Sequence, residues 1–429
     1  MTTEKPGSLV RAIGRWTLAG LVLNATIGSG IFGLPSVVSG YVGRAGPWAY
    51  LLAAAGVGVI MACFAEVGSR FREAGGPYLY AREAFGRFAG IQVAWVAWLV
   101  RLTAAAANAN LFVIYLAEFW PAASQRLPRL LVLTVLVGFL AIVNYRGVKS
   151  GARVSNFFIV TKLVPLALFA LLGLVFFRAG ASGPSAPVGS GAWLDAVLVL
   201  VFAYGGFEAA LFPMGEAKDP RRDIPFALFT GLAVMTVLYT LIQIGVQAGL
   251  AAPQTTDRPL AAAAAGIVGT WGAAFMTLGA LVSVYGYLGS MMLNVPRLTF
   301  ALAERADFPR FFARVHARFR TPHVSIVLFA VMVWGLAVAG TFRWNVTLSA
   351  VARLFTYAPT CAAVFALRKK LPDQPAFLMP AGKWIAALAV AFSLLLVTRM
   401  GWSELIIVAV TFAVAFLNWL WARRTPEVE

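Results

Sequence analysis

The sequence predicts an all-α integral membrane protein of twelve helical spans: a 5+5 inverted repeat plus two C-terminal helices, with spans one and six discontinuous. Three observations predict it. First, 60% of the 429 residues are hydrophobic and only 12% are charged, about half the charged share of soluble domains. Second, the apolar runs are continuous and reach the ~20 residues that a helical span needs. They do not alternate as the strands of an outer-membrane barrel would. Third, glycine and proline interrupt two of these runs, one opening each half of the chain.

The spans fall at roughly 17–40, 46–69, 90–117, 130–146, 154–177, 192–215, 226–250, 266–293, 324–341, 347–367, 384–399 and 403–422. Residues 1–429 thus form one transmembrane domain. The first five-helix repeat covers 17–177, the second 192–367, and the two appended helices 384–422. The segment Gly180–Gly191, rich in glycine, serine and proline, is the linker between the repeats. The first apolar run is long, carries a glycine cluster and leads straight into further runs, so it reads as a span and not as a cleaved signal peptide.

Charge placement sets the orientation. The net charge is +18. With the N-terminus inside, twenty-five Lys and Arg fall in cytoplasmic segments, seven in outer ones and three within spans. That asymmetry predicts a cell (inner) membrane protein with both termini cytoplasmic. It also accounts for the basic charge without nucleic acid. Cys63 and Cys361 lie singly in apolar runs, and His316 and His323 share one polar loop. Neither pair has metal-ligand spacing, so no metal and no cofactor is expected.

The two interrupted spans carry the functional reading. Span one contains Asn24-Ala-Thr-Ile-Gly-Ser-Gly-Ile-Phe-Gly-Leu-Pro-Ser36, and span six contains Val201-Phe-Ala-Tyr-Gly-Gly-Phe-Glu-Ala-Ala-Leu-Phe-Pro-Met-Gly215. Unwinding a helix in hydrocarbon frees N–H and C=O groups that each cost several kcal/mol when unpaired. A break therefore persists where something polar fills it. A helix restarting near Gly28–Gly30 presents free N–H groups and a positive dipole end, which suit a carboxylate. Helices ending near Ile27 and near Phe202–Tyr204 present carbonyls, which suit an ammonium group. A site that takes both charges fits an α-amino acid. Close helix packing is the competing reading for the glycines.

At these residues the sequence resembles the amino acid–polyamine–organocation superfamily of permeases. The resemblance rests on Ile27-Gly-Ser-Gly-Ile-Phe-Gly-Leu-Pro35 and on Phe202-Ala-Tyr-Gly-Gly-Phe-Glu208. It continues through Glu216-Ala-Lys-Asp-Pro-Arg-Arg-Asp-Ile-Pro225, the stretch Pro296–Pro309 and the Arg320-Thr-Pro322 turn. These matches are in family order and span most of the chain. The resemblance implies the LeuT-type fold. It also implies a substrate carboxylate at the amides of Ser29 and Gly30, beside Gly28. The substrate amine is then expected at carbonyls near Ile27, Phe202, Ala203 and Gly205, with Phe202 closing over the site.

Charges inside the spans add candidates. Lys162 lies nine residues past Arg153, so ~13 Å along its helix, near mid-bilayer. Some members of the resembled family carry a lysine there, where sodium-coupled relatives bind a cation. Lys162 is therefore expected to bridge the broken span one and to couple transport to protons. Glu208 is read either as a helix-start carboxylate or as a substrate-amine or proton site. Arg101 and Asn108, seven residues apart on one helix face, either line the pocket or, for Arg101, form an internal ion pair with Glu208. Arg353, about six residues into span ten, is expected to snorkel to the outer surface. Glu66 is expected to be structural.

Together these features predict a secondary active amino-acid transporter, proton-coupled, working by alternating access around a midplane site. The alternatives are an amino-acid exchanger or a cationic amino acid/polyamine antiporter; a neutral substrate is the first expectation. A membrane enzyme would need a nucleophile or acid/base constellation, and His316 and His323 make none, so the chain is not expected to be an enzyme. No nucleotide-binding GxxxxGK[ST] motif occurs, so ATP is not the direct energy source. A channel would need polar pore rings, and a nutrient sensor a signalling domain. The expected partners are the amino-acid substrate, protons and the lipid bilayer.

Overall fold

Continuous apolar runs fold as helices because a backbone in hydrocarbon must satisfy its own N–H and C=O groups. The computed structural model describes residues 13–71, 75–147, 152–176, 188–211, 217–372 and 377–424, with backbone alone over 152–160. The helices in chain order are α1 (Arg15–Thr26), α2 (Gly30–Val42), α3 (Gly46–Gly68), α4 (Gly76–Phe85) and α5 (Arg87–Leu116). Next come α6 (Arg126–Arg146), α7 (Ala152–Val175), α8 (Ser190–Tyr204), α9 (Pro220–Gly249) and α10 (Pro259–Val268). The last are α11 (Thr270–Glu304), α12 (His323–Ala339), α13 (Phe342–Lys370), α14 (Gly382–Val397) and α15 (Trp402–Ala422). Among the described residues there is no β-strand, only a single bridge between Ile13 and Ala217.

Among the described residues, eight helical runs are long and apolar enough to cross a membrane, and shorter apolar helices accompany them, including α12 and α14. Two short helices, α4 and α10, were not expected. Each has 10 residues and a proline in its first turn, a start signal that hydropathy does not register. The linker segment lies outside the described residues as far as residue 187, and residues 212–215 of the sixth predicted span lie outside them too.

The outer surface is apolar. On α6, Leu127, Leu131, Val135, Phe139 and Ile142 form an exposed stripe at helical spacing. α15 exposes Ile406, Val410, Val414 and Leu417 in the same way. Such stripes suit lipid contact and would aggregate in water. The opposite extreme is α5, which is buried almost all round from Gly90 to Leu111. It packs against α4, α11, α12, α13 and α15 and is the central strut of the molecule. Its alanine run Ala104–Ala107 is fully buried, which lets neighbouring backbones approach closely.

Two helices stop where the glycine clusters lie. α1 ends at Thr26, and Ile27 leaves the helical region at φ −72°, ψ 97°. The chain restarts as α2 at Gly30, with the Ser29 carbonyl accepting the N–H groups of Phe32 and Gly33 at 3.1 Å each. α8 ends at Tyr204; Gly205 is extended, and a 3₁₀ turn follows over Phe207–Leu211. Between them Gly206 has φ +115°, and a Cβ there would stand 2.4 Å from the carbonyl oxygen of Ala25. Only glycine fits that conformation and that approach. The contact also presses one break against the other.

Buried ion pairs fasten the helix ends. Asp307, in the turn after α11, is fully buried. It accepts from Arg82 at 2.5 Å, from Arg87 at 2.8 Å and from the Tyr78 hydroxyl, so α4 and the start of α5 are tied to the end of α11. Burial, reinforced by the neighbouring Asp307 carboxylate, pushes the Tyr78 hydroxyl up to about 12, so it remains a donor across the neutral range. Glu66, fully buried on α3, takes a forked pair from Arg368 at 2.6 and 2.7 Å and the N–H of Met379 at 3.0 Å. It is a structural tie between α3 and α13, as expected.

Two stability predictions follow from these contacts. Asp307→Asn leaves Arg82 and Arg87 without their counter-charge, and a loss of about 3 kcal/mol is expected. It would be seen as a fall of several degrees in the unfolding midpoint of the detergent-solubilised protein. Gly206→Ala is expected to destabilise by roughly 2 kcal/mol or more, from backbone strain plus the clash at Ala25. Gly138→Ala on α6, where nothing lies within 4 Å, is the control and is expected to be neutral or stabilising by up to about 1 kcal/mol.

Candidate functional site

The two breaks face a group of polar side chains supplied by α5, α7, α9, α11 and α13. Lys162 on α7 is 3% exposed, and its ammonium donates to the carbonyls of Asn24 at 2.8 Å and Ile27 at 3.0 Å. These are carbonyls that α1 leaves without helical partners where it stops. Lys162 thus contacts the stretch between Asn24 and Ile27 through two hydrogen bonds. The Ile27 carbonyl, expected to meet a substrate amine, is already occupied by this lysine on one of its lone pairs.

The restart at α2 is closely lined. The Ser29 N–H donates to Asn108 Oδ1 at 3.1 Å, and Asn108 Nδ2 donates to the Ala104 carbonyl at 2.8 Å. Asn108 thus stands at the amide that the resemblance assigns to a substrate carboxylate. A Cβ on Gly28 would meet the Tyr287 ring at 3.2 Å, and one on Gly30 would meet the Ala203 Cα at 3.0 Å and the Phe202 ring at 3.3 Å. Gly28 and Gly30 therefore allow α11 and α8 to close on the break. The Ser29 hydroxyl is buried with no hydrogen-bond partner.

At the second break, Phe202 is buried beside Gly30, and its carbonyl accepts the Gly205 N–H at 3.3 Å. The Ala203 carbonyl accepts the Tyr239 hydroxyl at 3.3 Å. Glu208 caps the 3₁₀ turn through the Gly206 N–H at 2.8 Å. Its other contacts are Arg353 Nη1 at 2.5 Å and the Tyr357 hydroxyl at 3.1 Å. Arg353 also lies under Gly205, where a Cβ would fall 2.5 Å from its Nη1.

Arg353 corrects an expectation. It does not snorkel: it is 3% exposed and directly paired with Glu208. The reason is register. α13 begins at Phe342, five residues before the predicted span, so Arg353 lies about 16 Å along it, beyond easy reach of the surface. An ion pair of Arg101 with Glu208 was one of the two readings of Arg101. Arg353 is a direct partner of Glu208, and Arg101 is buried at 7% exposure and engaged in an interaction of its own.

Sequence reasoning missed Tyr287 and Tyr357. Tyr357 had a signal, since it sits four residues after Arg353 on the same helix face. Tyr287 had none, because its contact with Gly28 crosses from α11 to the α1–α2 turn.

The amino acid permease family pattern matches residues 13–420. The chain is similar to a branched-chain amino acid permease of Bacillus subtilis, 26% identical over 97% of this chain and 92% of that protein. It is similar to a serine/threonine exchanger of the same organism, 28% identical over 92% and 91% of the two chains. An arginine/agmatine antiporter of Chlamydia trachomatis is 26% identical over 95% and 89%. Such a match over nearly the whole length, on a multi-pass framework of apolar helices, has one reading: the chain belongs to the amino acid permeases of the amino acid–polyamine–organocation superfamily.

Proposed function

We propose that the protein is a secondary active amino-acid transporter, coupled to protons through Lys162, working by alternating access around the two helix breaks. The proposal places both termini in the cytoplasm of an inner-membrane protein with twelve spans. It pairs the repeats 17–177 and 192–367 in inverted orientation, with 384–422 appended. Transport of amino acids is the family's activity; the coupling and the site are this chain's own.

The observation that carries the reading is the Lys162 ammonium between the Asn24 and Ile27 carbonyls. A protonated amine holds both carbonyls by charge-assisted hydrogen bonds. The neutral amine loses that charge and one of its three hydrogens, so its grip on the turn weakens. Proton release from Lys162 would then free the turn between α1 and α2 to change shape. The substrate carboxylate takes the amides of Ser29 and Gly30, displacing Asn108 Oδ1 from Ser29. The substrate amine takes the carbonyls around Ile27, Phe202, Ala203 and Gly205. Phe202 closes beside Gly30, and Glu208 holds the second break in shape through Arg353 and the Gly206 amide.

A second reading is an obligatory exchanger, favoured by the similarity to a serine/threonine exchanger and an arginine/agmatine antiporter. Uptake into proteoliposomes separates the two. An inward proton gradient with no internal amino acid is expected to drive uptake in the wild type. Uptake that requires internal amino acid would establish the exchanger. Lys162→Gln is expected to reduce gradient-driven uptake at least about tenfold and to flatten its pH dependence. Unchanged uptake with an unchanged pH profile would remove Lys162 from the mechanism.

A further inference from the structure

Beside the last turns of α15 lies a surface groove of about 590 Å³, within the range of pockets that hold small ligands, about 300–1,000 Å³. α5 lines it with Trp95, α15 with Leu417 and Trp421, and the connection between α11 and α12 with Arg310 and Phe311. Leu417, Trp421 and Phe311 are exposed, so the groove presents apolar surface to what surrounds the helices. Its walls are fixed. Trp95 stacks on the fully buried Phe308 ring at 4.6 Å, and Asn418 donates to the Asp307 carbonyl at 2.7 Å. Asp307 is itself the anchor of Arg82 and Arg87. The groove is therefore preformed, with each wall tied to another, and is not a gap under a loose loop.

The charge at the groove has one sign. Among the described residues, Arg310 is the one charged side chain that lines it. Arg310 is exposed and makes no hydrogen bond or ion pair with its side chain there. The connection 305–322 holds five arginines against one acidic residue. That residue, Asp307, is buried and already paired. Arg423 and Arg424, two and three residues beyond Trp421, are exposed where α15 ends. The positive-inside bias accounts for arginines at this end of the spans. It does not require one of them to stand in an apolar groove.

A ligand of this groove must be apolar over most of its length and negative at one end. We propose that the groove binds an anionic phospholipid, with the phosphate on Arg310 and an acyl chain along Leu417 and Trp421. Tryptophan near the end of a span sits at head-group level, so Trp421 sets this end of the groove at the depth of the phosphates. A guanidinium matches a phosphate with paired donors in one plane, and basic pockets between spans are a recurrent form of head-group site. A second copy of the chain is the competing occupant. In a symmetric contact it would bring the same arginine and no carboxylate to pair it, because the lining contains none. The proposal is independent of the transport reading. Every outer face of the protein meets lipid; this one selects the head group.

The test is native mass spectrometry of the delipidated protein in detergent, with phosphatidylglycerol and phosphatidylcholine of identical acyl chains at equal concentration. The phosphatidylglycerol adduct is expected to exceed the phosphatidylcholine adduct about tenfold, since each arginine near a head group contributes roughly fivefold. Arg310→Gln is expected to lower that ratio about fivefold, and Arg310→Lys to keep most of it. Arg305→Gln, exposed in the same connection but outside the groove, is expected to leave it unchanged. Leu417→Trp, which fills the apolar part, is expected to reduce the phosphatidylglycerol adduct. Equal adducts in the wild type overturn the proposal, as does an adduct unchanged in Leu417→Trp. An equal fall in Arg305→Gln and Arg310→Gln assigns the preference to the basic surface at large and overturns it too. So does a wild-type dimer that carries no lipid and is lost in Leu417→Trp, because a second copy then covers the groove.

Discussion

Backbone groups released where a helix unwinds away from water must be paired, and the arrangement around the two breaks follows from that constraint. The end of α1 gives its Asn24 and Ile27 carbonyls to Lys162 of α7. The turn before α2 gives the Ser29 amide to Asn108 of α5. The end of α8 gives the Ala203 carbonyl to Tyr239 of α9, and Gly206 gives its amide to Glu208. Glu208 is held in turn by Arg353 and Tyr357 of α13. Each partner comes from another element or from across the break. A shift of α5, α7, α9 or α13 therefore changes the hydrogen bonding of a break, and a ligand that replaces one of these partners acts on the helix that carries it.

The charges are distributed with the same logic. Glu66 and Asp307 lie near helix ends, and each has at least three donors. Such fully satisfied carboxylates hold helices in register, and removing one side of the pair leaves an uncompensated charge. Glu208 follows the same rule, with Arg353, Tyr357 and the Gly206 amide as its donors.

Glycine serves both arrangements by absence of a side chain. Gly28 admits Tyr287, Gly30 admits Ala203 and Phe202, and Gly205 admits the Arg353 guanidinium. These are approaches of helix against turn and of charge against backbone, which a methyl group would block. At these positions the glycines serve close packing, and the proposed site is built on that packing.

The membrane character, most helix positions and the stops of α1 and α8 at glycine clusters were legible in the sequence alone. Hydropathy is a sum over neighbours in the chain, and a glycine cluster breaks a helix locally, so neither needs the tertiary structure. The burial of Lys162 was legible for a related reason: it lies well inside an apolar run. The tertiary structure decided the partnerships. That Glu208 takes Arg353 depends on how α13 packs against the second break. The depth of Arg353 depends on where α13 begins, which a Thr341 cap accepting from Trp344 sets and hydropathy does not register. Tyr287 against Gly28 is a contact between residues more than two hundred and fifty positions apart in the chain. Local sequence determines which groups are buried and which are freed from helices; which buried group satisfies which freed one is a matter of three-dimensional proximity, and only the folded chain supplies it.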